Sequence, residues 1–265
     1  MRHLKGTIRL SETRDYPLMQ RVLHCGLATR AQLYEFLKLD HCTPSRHMFS
    51  CQMWRLMRHG MIRRHDLRIV NHGSVYSLTP AGASELIGRG EYYMRQPSSL
   101  AALAKKVHHA LELNEIHLAL KRTGMLVRWT PESEIRSSNE LTSRGYVKDY
   151  DAVITVRVDG QECRFALEYE RSPKDRSRYK AIQERIERET RVHHFLYLLP
   201  SHDLLLYVMR SFLGSKRAVH FGLSRDFLAE TLNLQVQSTQ SPISMMLRTA
   251  LSDGRLPERT CSAPA

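Results

Sequence analysis

Hydrophobic and polar residues alternate along two stretches that flank the dipeptide Asp159-Gly160. A period of two is typical of strands, and Asp-Gly favours a type I′ turn, so the segment from Asp149 to Glu170 is predicted to be an antiparallel hairpin. A two-residue turn fixes the register of such a hairpin. Its apolar face then consists of three cross-strand pairs: Val156 with Cys163, Ile154 with Phe165, and Ala152 with Leu167.

The other face of this hairpin ends in four carboxylates. The same register places Asp151 opposite Glu168 and Asp149 opposite Glu170. Like charges directly across a ladder are destabilising, so the cluster indicates a cation between the strands, most simply a divalent metal with oxygen ligands. The hairpin therefore predicts metal-dependent chemistry at its acidic end.

Helix signals dominate the first third of the chain. Thr29 and Gln32 have capping-box spacing, and Thr43 followed by Pro44 predicts the start of a third helix that ends before Gly60. Apolar residues recur at helical spacing in this third helix, and we expect them to face a core. They are Phe49, Met53 and Leu56.

A basic surface is predicted on the outward side of the third helix and on the hairpin that follows it. Met61-Ile62 and Val75 to Leu78 form the two short strands of that hairpin around a turn at Asn71-His72-Gly73. Trp54 and Cys51 are expected to pack inside. The candidate DNA-contacting residues are Ser45, Arg46, Ser50, Arg55, Arg63, Arg64 and Arg68.

The rest of the chain reads as a linker, a second domain and a tail. The linker covers residues 89–100, the second domain residues 101–234 and an irregular tail residues 235–265, with a possible short helix around Ile243 to Leu251. The second domain is predicted to begin with a helix from Ala101 to Arg122. After it we expect strands at 126–129, 192–199 and 218–223, a polar loop at 136–144, and helices at 175–190, 202–213 and 225–232.

Charge and cysteine content indicate which binding partners and which cellular compartment to expect. The formal net charge is +13, with +8 concentrated in residues 1–75, which favours a polyanion such as double-stranded DNA. The five cysteines show no CxxC spacing, and no apolar stretch is long enough to span a bilayer. We therefore expect a soluble cytoplasmic protein with reduced thiols.

The region that follows the third helix resembles the winged helix-turn-helix domains of bacterial DNA-binding proteins, a match that covers about the first 88 residues. A solvated protein-interaction module is the alternative for the same pattern. The resemblance is carried by Leu56, Gly60-Met61-Ile62, Tyr76-Ser77-Leu78-Thr79 and Ala81-Gly82.

Asp151-Ala152 and the run from Phe165 to Glu170, followed by a basic helix, resemble the PD-(D/E)XK nuclease core. With a winged helix in front, the arrangement is similar to the replication-relaxation family, which includes the MOBC-type relaxases. The resemblance implies an α+β protein: an N-terminal winged helix-turn-helix followed by a restriction-endonuclease-like αβββαβ domain. It also implies that Asp151, Glu168 and Glu170 are the catalytic, metal-binding groups for Mg²⁺ or Mn²⁺.

Two positions depart from the nuclease pattern. Tyr150 replaces the proline of the motif, and Glu170 stands where most such nucleases carry lysine. Glu170 could itself orient the attacking water, or Lys174 or Lys180 could supply the missing cation. The sequence also lacks the H-x-H site of the commoner relaxases and a G-x-x-x-x-G-K-[ST] loop, so any ATPase must be a partner among other mobilisation or replication proteins.

Two functions remain open from the sequence, and a third possibility is that the second domain is a platform for oligomerisation. The first is a DNA-binding protein of a mobile genetic element that nicks an origin as a metal-dependent relaxase or endonuclease in plasmid mobilisation or replication. The second is a non-catalytic winged-helix regulator or accessory factor with a degenerate nuclease fold. Both predict DNA binding, and only the first predicts metal-dependent cleavage.

Overall fold

Two compact units make up the chain in a computed structural model that describes residues 8–42, 45–67, 73–91, 100–142 and 145–252. The first unit is Met1–Gly124 with Pro131–Ser143, and the second is Met125–Thr130 with Arg144–Ala265. The fold class is α+β, with a helical part that carries a small sheet and a second part built on a mixed sheet. None of the helices within the described ranges has both the length and the apolar character needed to cross a membrane.

The first unit contains six helices and a three-stranded sheet among its described residues, in the strand order β1-β3-β2. Its elements are α1 (Asp15–Cys25), β1 (Ala28–Thr29), α2 (Arg30–Leu39), α3 (Arg46–Arg58), β2 (Ile62–Asp66), β3 (Ser74–Leu78), α4 (Pro80–Ile87), α5 (Leu100–Arg122) and α6 (Glu132–Leu141).

The helix signals in the sequence are largely confirmed. Thr29 and Gln32 form the capping box of α2, and Gly60, with a φ of +71°, follows the end of α3. The predicted core stripe of α3 is buried at all three positions. The N-cap of α3, however, is Ser45, whose hydroxyl accepts a hydrogen bond from the Met48 amide at 3.2 Å, so the prediction of Thr43 was wrong. Thr43 and Pro44 themselves lie outside the described residues, as do Asn71 and His72 of the predicted hairpin turn.

The long helix α5 belongs to the first unit rather than to the second domain where the sequence prediction placed it. Gln32 Nε2 donates to the Leu111 carbonyl at 2.9 Å and to Glu115 Oε1 at 2.8 Å, and Asn114 Nδ2 donates to the Leu27 carbonyl at 2.8 Å. Apolar residues cover more than one face of α5, so the sequence pattern could not indicate which unit the helix packs against. The polar contacts described above bind it to the first unit.

The second unit is built on a seven-stranded mixed sheet in the order β10-β9-β8-β7-β6-β5-β4. The β6/β7 and β7/β8 pairs are parallel, whereas β5/β6, β8/β9 and β9/β10 are antiparallel. Its elements are β4 (Leu126–Pro131), β5 (Ala152–Val158), β6 (Gln161–Tyr169), α7 (Arg176–Arg188), β7 (His194–Leu199), α8 (His202–Ser211), β8 (Ala218–Leu223), α9 (Ser224–Glu230), a 3₁₀ turn (Thr231–Asn233), β9 (Gln235–Ser238), β10 (Ser241–Met246) and α10 (Leu247–Ser252).

The central hairpin has the predicted register. Val158 pairs with Gln161 and Ala152 with Leu167, and every pair between them is the one expected from the turn. Asp159 and Gly160 both have positive φ angles, 49° and 80°, as a type I′ turn requires.

Two polar segments are ordered where the sequence analysis expected irregular chain. The predicted loop at 136–144 falls largely within α6, and the predicted tail from 235 contains β9 and β10. The possible helix predicted around Ile243 to Leu251 is confirmed in part by α10, while its first residues belong to β10. Only Ile135 is buried in α6, and β10 is largely exposed, so neither segment shows the apolar periodicity that identifies an element. Residues 253–265 lie outside the described chain, as does most of the predicted linker.

Candidate functional site

The acidic end of the hairpin contains the predicted carboxylates in the second unit. Asp151 immediately precedes β5, Glu168 lies in β6, and Glu170 directly follows it. Because Ala152 pairs with Leu167, Asp151 lies beside Glu168, and the charge of Asp151 acts on that glutamate. Asp151 Oδ2 also accepts a hydrogen bond from the Tyr169 amide at 2.7 Å, which holds the two strand ends together.

Two lysines bind the glutamates of this acidic end. Lys148 forms an ion pair with Glu168, and both side chains are almost buried, at 10% and 13% exposed. Lys174 forms an ion pair with Glu170 four residues before it. Lys174 was one of the two lysines that the sequence offered as the missing cation of the nuclease motif. Lys148 was missed, because extension of the ladder beyond Asp151 points residue 148 to the opposite face.

The segment that carries Lys148 is fixed by Glu189, a carboxylate that is only 1% exposed. Glu189 Oε2 accepts hydrogen bonds from the Val147 amide at 3.1 Å and the Tyr150 hydroxyl at 3.2 Å. Its other oxygen accepts from the amides of residues 190 and 191 at 3.0 and 2.9 Å. Lys148 is thus held at its base by a buried hydrogen-bond network, and its Nζ lies 5.0 Å from the centroid of the Tyr150 ring.

Burial, helped by the nearby charge of Asp151, raises the pKa of Glu168 to about 7. The ammonium groups of Lys148 and Lys174 act in the opposite direction. Glu168 therefore titrates near neutrality, so that a small change in its surroundings switches its charge.

Tyr197 borders the same cluster from the next strand. It pairs with Glu168 across β6 and β7, and parallel neighbours project to the same face of a sheet. Its hydroxyl is buried and has no hydrogen-bond partner among the described residues. Burial, together with the charges of Glu168 and Glu170, raises the pKa of Tyr197 well above its usual value, so it stays a neutral donor beside the carboxylates.

The donor set fits a metal held by few protein ligands. No three His, Cys, Asp or Glu side chains in the described part of the chain are grouped closely enough to hold a metal ion. Asp151 and Glu168 are nevertheless neighbours, and Mg²⁺ commonly uses one or two carboxylates and completes its shell with water and phosphate oxygens. The pair fits such a site, whereas Glu170 is engaged by Lys174.

Removal of the Lys148 cation is expected to raise the pKa of Glu168 above 7. The Lys148→Met variant keeps most of the side-chain volume and deletes the charge that favours the carboxylate. NMR titration of ¹³C-labelled glutamate carboxyls measures this directly, with Lys180→Met on the exposed side of α7 as the control. An unchanged titration of Glu168 in Lys148→Met would contradict the ion pair.

The predicted DNA-contacting residues lie on the flanks of α3 and on β2 in the first unit. Arg46 is exposed, with its guanidinium carbon 5.6 Å from the centroid of the Tyr34 ring, and Ser50 donates to the Arg46 carbonyl at 2.7 Å. Ser45 caps the helix. Arg55 instead forms an ion pair with Asp15, a carboxylate with no exposed surface.

On the hairpin, Arg63 and Arg64 are both exposed on β2. Arg64 Nε donates to Asp66 Oδ1 at 2.7 Å, and Ser74 donates to the same oxygen at 2.7 Å. Arg68 lies outside the described residues. The hairpin thus presents two arginines to solvent, one of them braced by a neighbouring aspartate.

The middle of the exposed face of α3 consists of four residues, none of them among the predicted DNA contacts, and the sequence pattern had placed only His47 outward. We call His47, Cys51, Trp54 and Arg58 the central face of α3. Their i, i+4, i+7, i+11 spacing puts them directly opposite the buried stripe, a signal that a helical projection of the sequence would have given. The expectation that Trp54 and Cys51 pack inside was wrong: Cys51 is exposed and Trp54 is 57% exposed.

Comparison with known proteins gives one family and one distant structure. Residues 21–193, more than half of the chain, match the family model described as Replication-relaxation. The restriction endonuclease FokI is a distant structural match with 12% sequence identity and a TM-score of 0.30, over 82% of this chain and 43% of that structure. The chain thus spans less than half the length of FokI. No curated protein matches the sequence.

Proposed function

Because this chain belongs to the Replication-relaxation family, we propose that it is a DNA-processing protein of a mobile genetic element that binds duplex DNA and nicks one strand at an origin. The proposal assigns DNA recognition to the first unit, as a winged helix-turn-helix with α3 as the reading helix. It assigns cleavage to the second unit, as a PD-(D/E)XK-like domain. One observation carries it: Asp151 and Glu168 lie side by side with a nearly buried lysine at the end of one hairpin.

In the proposed cleavage, Asp151 and Glu168 would hold Mg²⁺ or Mn²⁺, which would stabilise charge on the phosphate and lower the pKa of a coordinated water. Lys148, whose cation lies beside Glu168, would add positive charge near the scissile phosphate. Glu170, paired with Lys174, would orient the attacking water. The buried Tyr197 hydroxyl would donate a hydrogen bond to the neighbouring carboxylate.

The alternative function has an observation of its own. Both glutamates are already neutralised by lysines of the same chain, which satisfies the acidic end without any metal. A regulator or accessory factor with a degenerate nuclease fold would keep such internal ion pairs. A cleavage assay distinguishes the two functions. A nuclease nicks a supercoiled plasmid in Mg²⁺ or Mn²⁺ but not in EDTA, whereas an accessory factor binds the DNA without cutting it.

DNA binding by the first unit is expected to weaken in Arg46→Ala and Arg63→Ala. Each exposed arginine that neutralises a phosphate releases counterions, so its loss should lower the slope of log affinity against log salt by about 1. Fluorescence anisotropy with a labelled origin duplex over a salt series measures the slope. Arg157→Ala serves as the control, since that exposed arginine pairs with Glu162 at the turn end of the hairpin. Unchanged slopes in both variants would remove this surface from the DNA interface.

A further inference from the structure

The central face of α3 carries an exposed tryptophan at the position where a DNA-reading helix usually carries hydrogen-bonding side chains. Trp54 is 57% exposed, although tryptophan is on average a highly buried residue. The Arg58 guanidinium carbon lies 5.0 Å from the centroid of its ring. This cation–π contact supports the indole from one side, and the exposed fraction leaves ring surface open to solvent.

The chemistry of an indole restricts what it can recognise. Its single N–H donor has no acceptor beside it, so it cannot match the donor and acceptor pattern of a base edge in the major groove. Its large flat face instead suits stacking on a base, with little dependence on sequence. The faces of bases in a closed duplex are covered by their neighbours, so only an unpaired or unstacked base offers the complementary surface.

The surroundings of Trp54 favour a nucleic acid over a second copy of this chain. Arg46 and Arg58 are exposed on the same helix, and His47 lies about two turns before Trp54 on the central face. Two copies of this basic surface would repel each other, whereas the phosphates that flank an unpaired base would be attracted. Among the described residues of α3, Met48, at 41% exposed, is the large apolar side chain exposed besides Trp54. Two such side chains offer too little apolar area for a dimer contact.

We propose that Trp54, supported by Arg58, stacks on an unpaired base, so that the protein prefers locally opened DNA to closed duplex. The inference rests on the proposed function, because it places the same helix on origin DNA. The stacking proposal adds a substrate class, which is duplex DNA with a melted or distorted base-pair step where one strand is accessible for nicking. Trp54 acts as a stacking platform in this account, and Arg46 and Arg63 supply the phosphate contacts.

The test compares a fluorescein-labelled closed duplex with the same duplex that carries a short central bubble of unpaired thymines. Wild-type protein should prefer the bubble, and Trp54→Ala should lose about 5- to 150-fold in its bubble-to-duplex affinity ratio, the range of one base stack. Trp54→Phe, which keeps an aromatic face, should retain most of the preference. Trp129→Phe is the matched control and leaves Trp54 as the sole tryptophan, because the chain has two. In that variant the bubble should quench fluorescence more than the duplex does.

The outcomes separate this inference from the proposed function. Equal bubble-to-duplex ratios in wild type and Trp54→Ala, with equal quenching of Trp54 by both DNAs, overturn the stacking and leave duplex binding intact. If the wild-type protein binds neither DNA, the proposed function and the stacking both fail. A concentration-dependent increase in size that Trp54→Ala abolishes, with its DNA preference unchanged, assigns the face to a second copy and overturns the inference. The sole-tryptophan quenching decides the question even if Trp54→Ala fails to fold.

Discussion

Substitution of Arg55 by alanine should destabilise the first unit by about 3 kcal/mol, the lower end of the range for breaking a buried ion pair. Asp15, its partner, has no exposed surface, and the same carboxylate oxygen also accepts a hydrogen bond from the Ser11 amide at 2.7 Å. Without Arg55 a buried carboxylate loses its countercharge. The lower end applies because Arg55 is 36% exposed, so water can partly replace it.

The expected fall in Tm is roughly 10 °C, read by differential scanning calorimetry. Arg58→Ala is the matched control on the same helix and should change the free energy of unfolding by less than about 1 kcal/mol, since it loses only an exposed cation–π contact. The double variant Asp15→Asn/Arg55→Met should recover part of the loss, because it removes both charges. If Arg55→Ala were as stable as the wild type, the ion pair between Arg55 and Asp15 would contribute nothing to the free energy of unfolding.

This result also decides how Arg55 should be interpreted at the DNA interface. Sequence reasoning grouped it with Arg46 because both are polar residues of α3 outside the core stripe. Its side chain instead neutralises a buried aspartate of α1. Weakened DNA binding in Arg55→Ala would therefore accompany the loss of stability, and the two would scale together with temperature.

The second large effect is expected at the acidic end: Asp151→Asn and Glu168→Gln should each reduce nicking by about 100- to 10,000-fold. A metal ion contributes several kcal/mol of transition-state stabilisation, and each 1.36 kcal/mol corresponds to a factor of ten. Asp151→Asn is the cleaner variant, because its amide oxygen still accepts the hydrogen bond from the Tyr169 amide. Initial rates of nicked-circle formation on agarose gels measure the effect.

The control is Glu162→Gln, the same chemical change at the opposite end of the hairpin, where Glu162 is exposed and pairs with Arg157. It should nick at the wild-type rate. Glu168→Gln deprives the nearly buried Lys148 of its partner, so its melting temperature is measured beside its activity. Nicking by both acid variants at wild-type rates would exclude Asp151 and Glu168 from the reaction.

The hairpin shows what sequence could predict. Strand alternation and the Asp159-Gly160 turn determine the register from local chemistry alone, and the observed pairs agree. Asp151 and Glu168 therefore lie side by side as the alternation predicted, whereas the predicted pairing of Asp149 with Glu170 lies beyond the observed ladder, which starts at Ala152 and Leu167. Lys174, the partner of Glu170, was a candidate from the sequence, but the position of Lys148 depends on the path of the chain before Asp151, which Glu189 sets from a distant position in the sequence. No local pattern encodes that contact.

The helices show the same division between local and distant information. The capping box of α2 and the core stripe of α3 follow from spacing, and the structure has both. The assignment of α5 to the first unit depends on three side chains that meet only in the fold, Gln32, Asn114 and Glu115. The exposure of Trp54 was predictable from the helical projection, but residue type alone suggested burial.

Nicking of a supercoiled plasmid that carries a candidate origin region is the decisive measurement. Wild-type protein and Asp151→Asn are compared in Mg²⁺, in Mn²⁺ and in EDTA, with DNA binding measured on the same preparations. We expect nicked circles with wild-type protein in either metal, none in EDTA and almost none with Asp151→Asn. Equal DNA binding by both proteins without cleavage in either metal would contradict this expectation and favour the accessory factor.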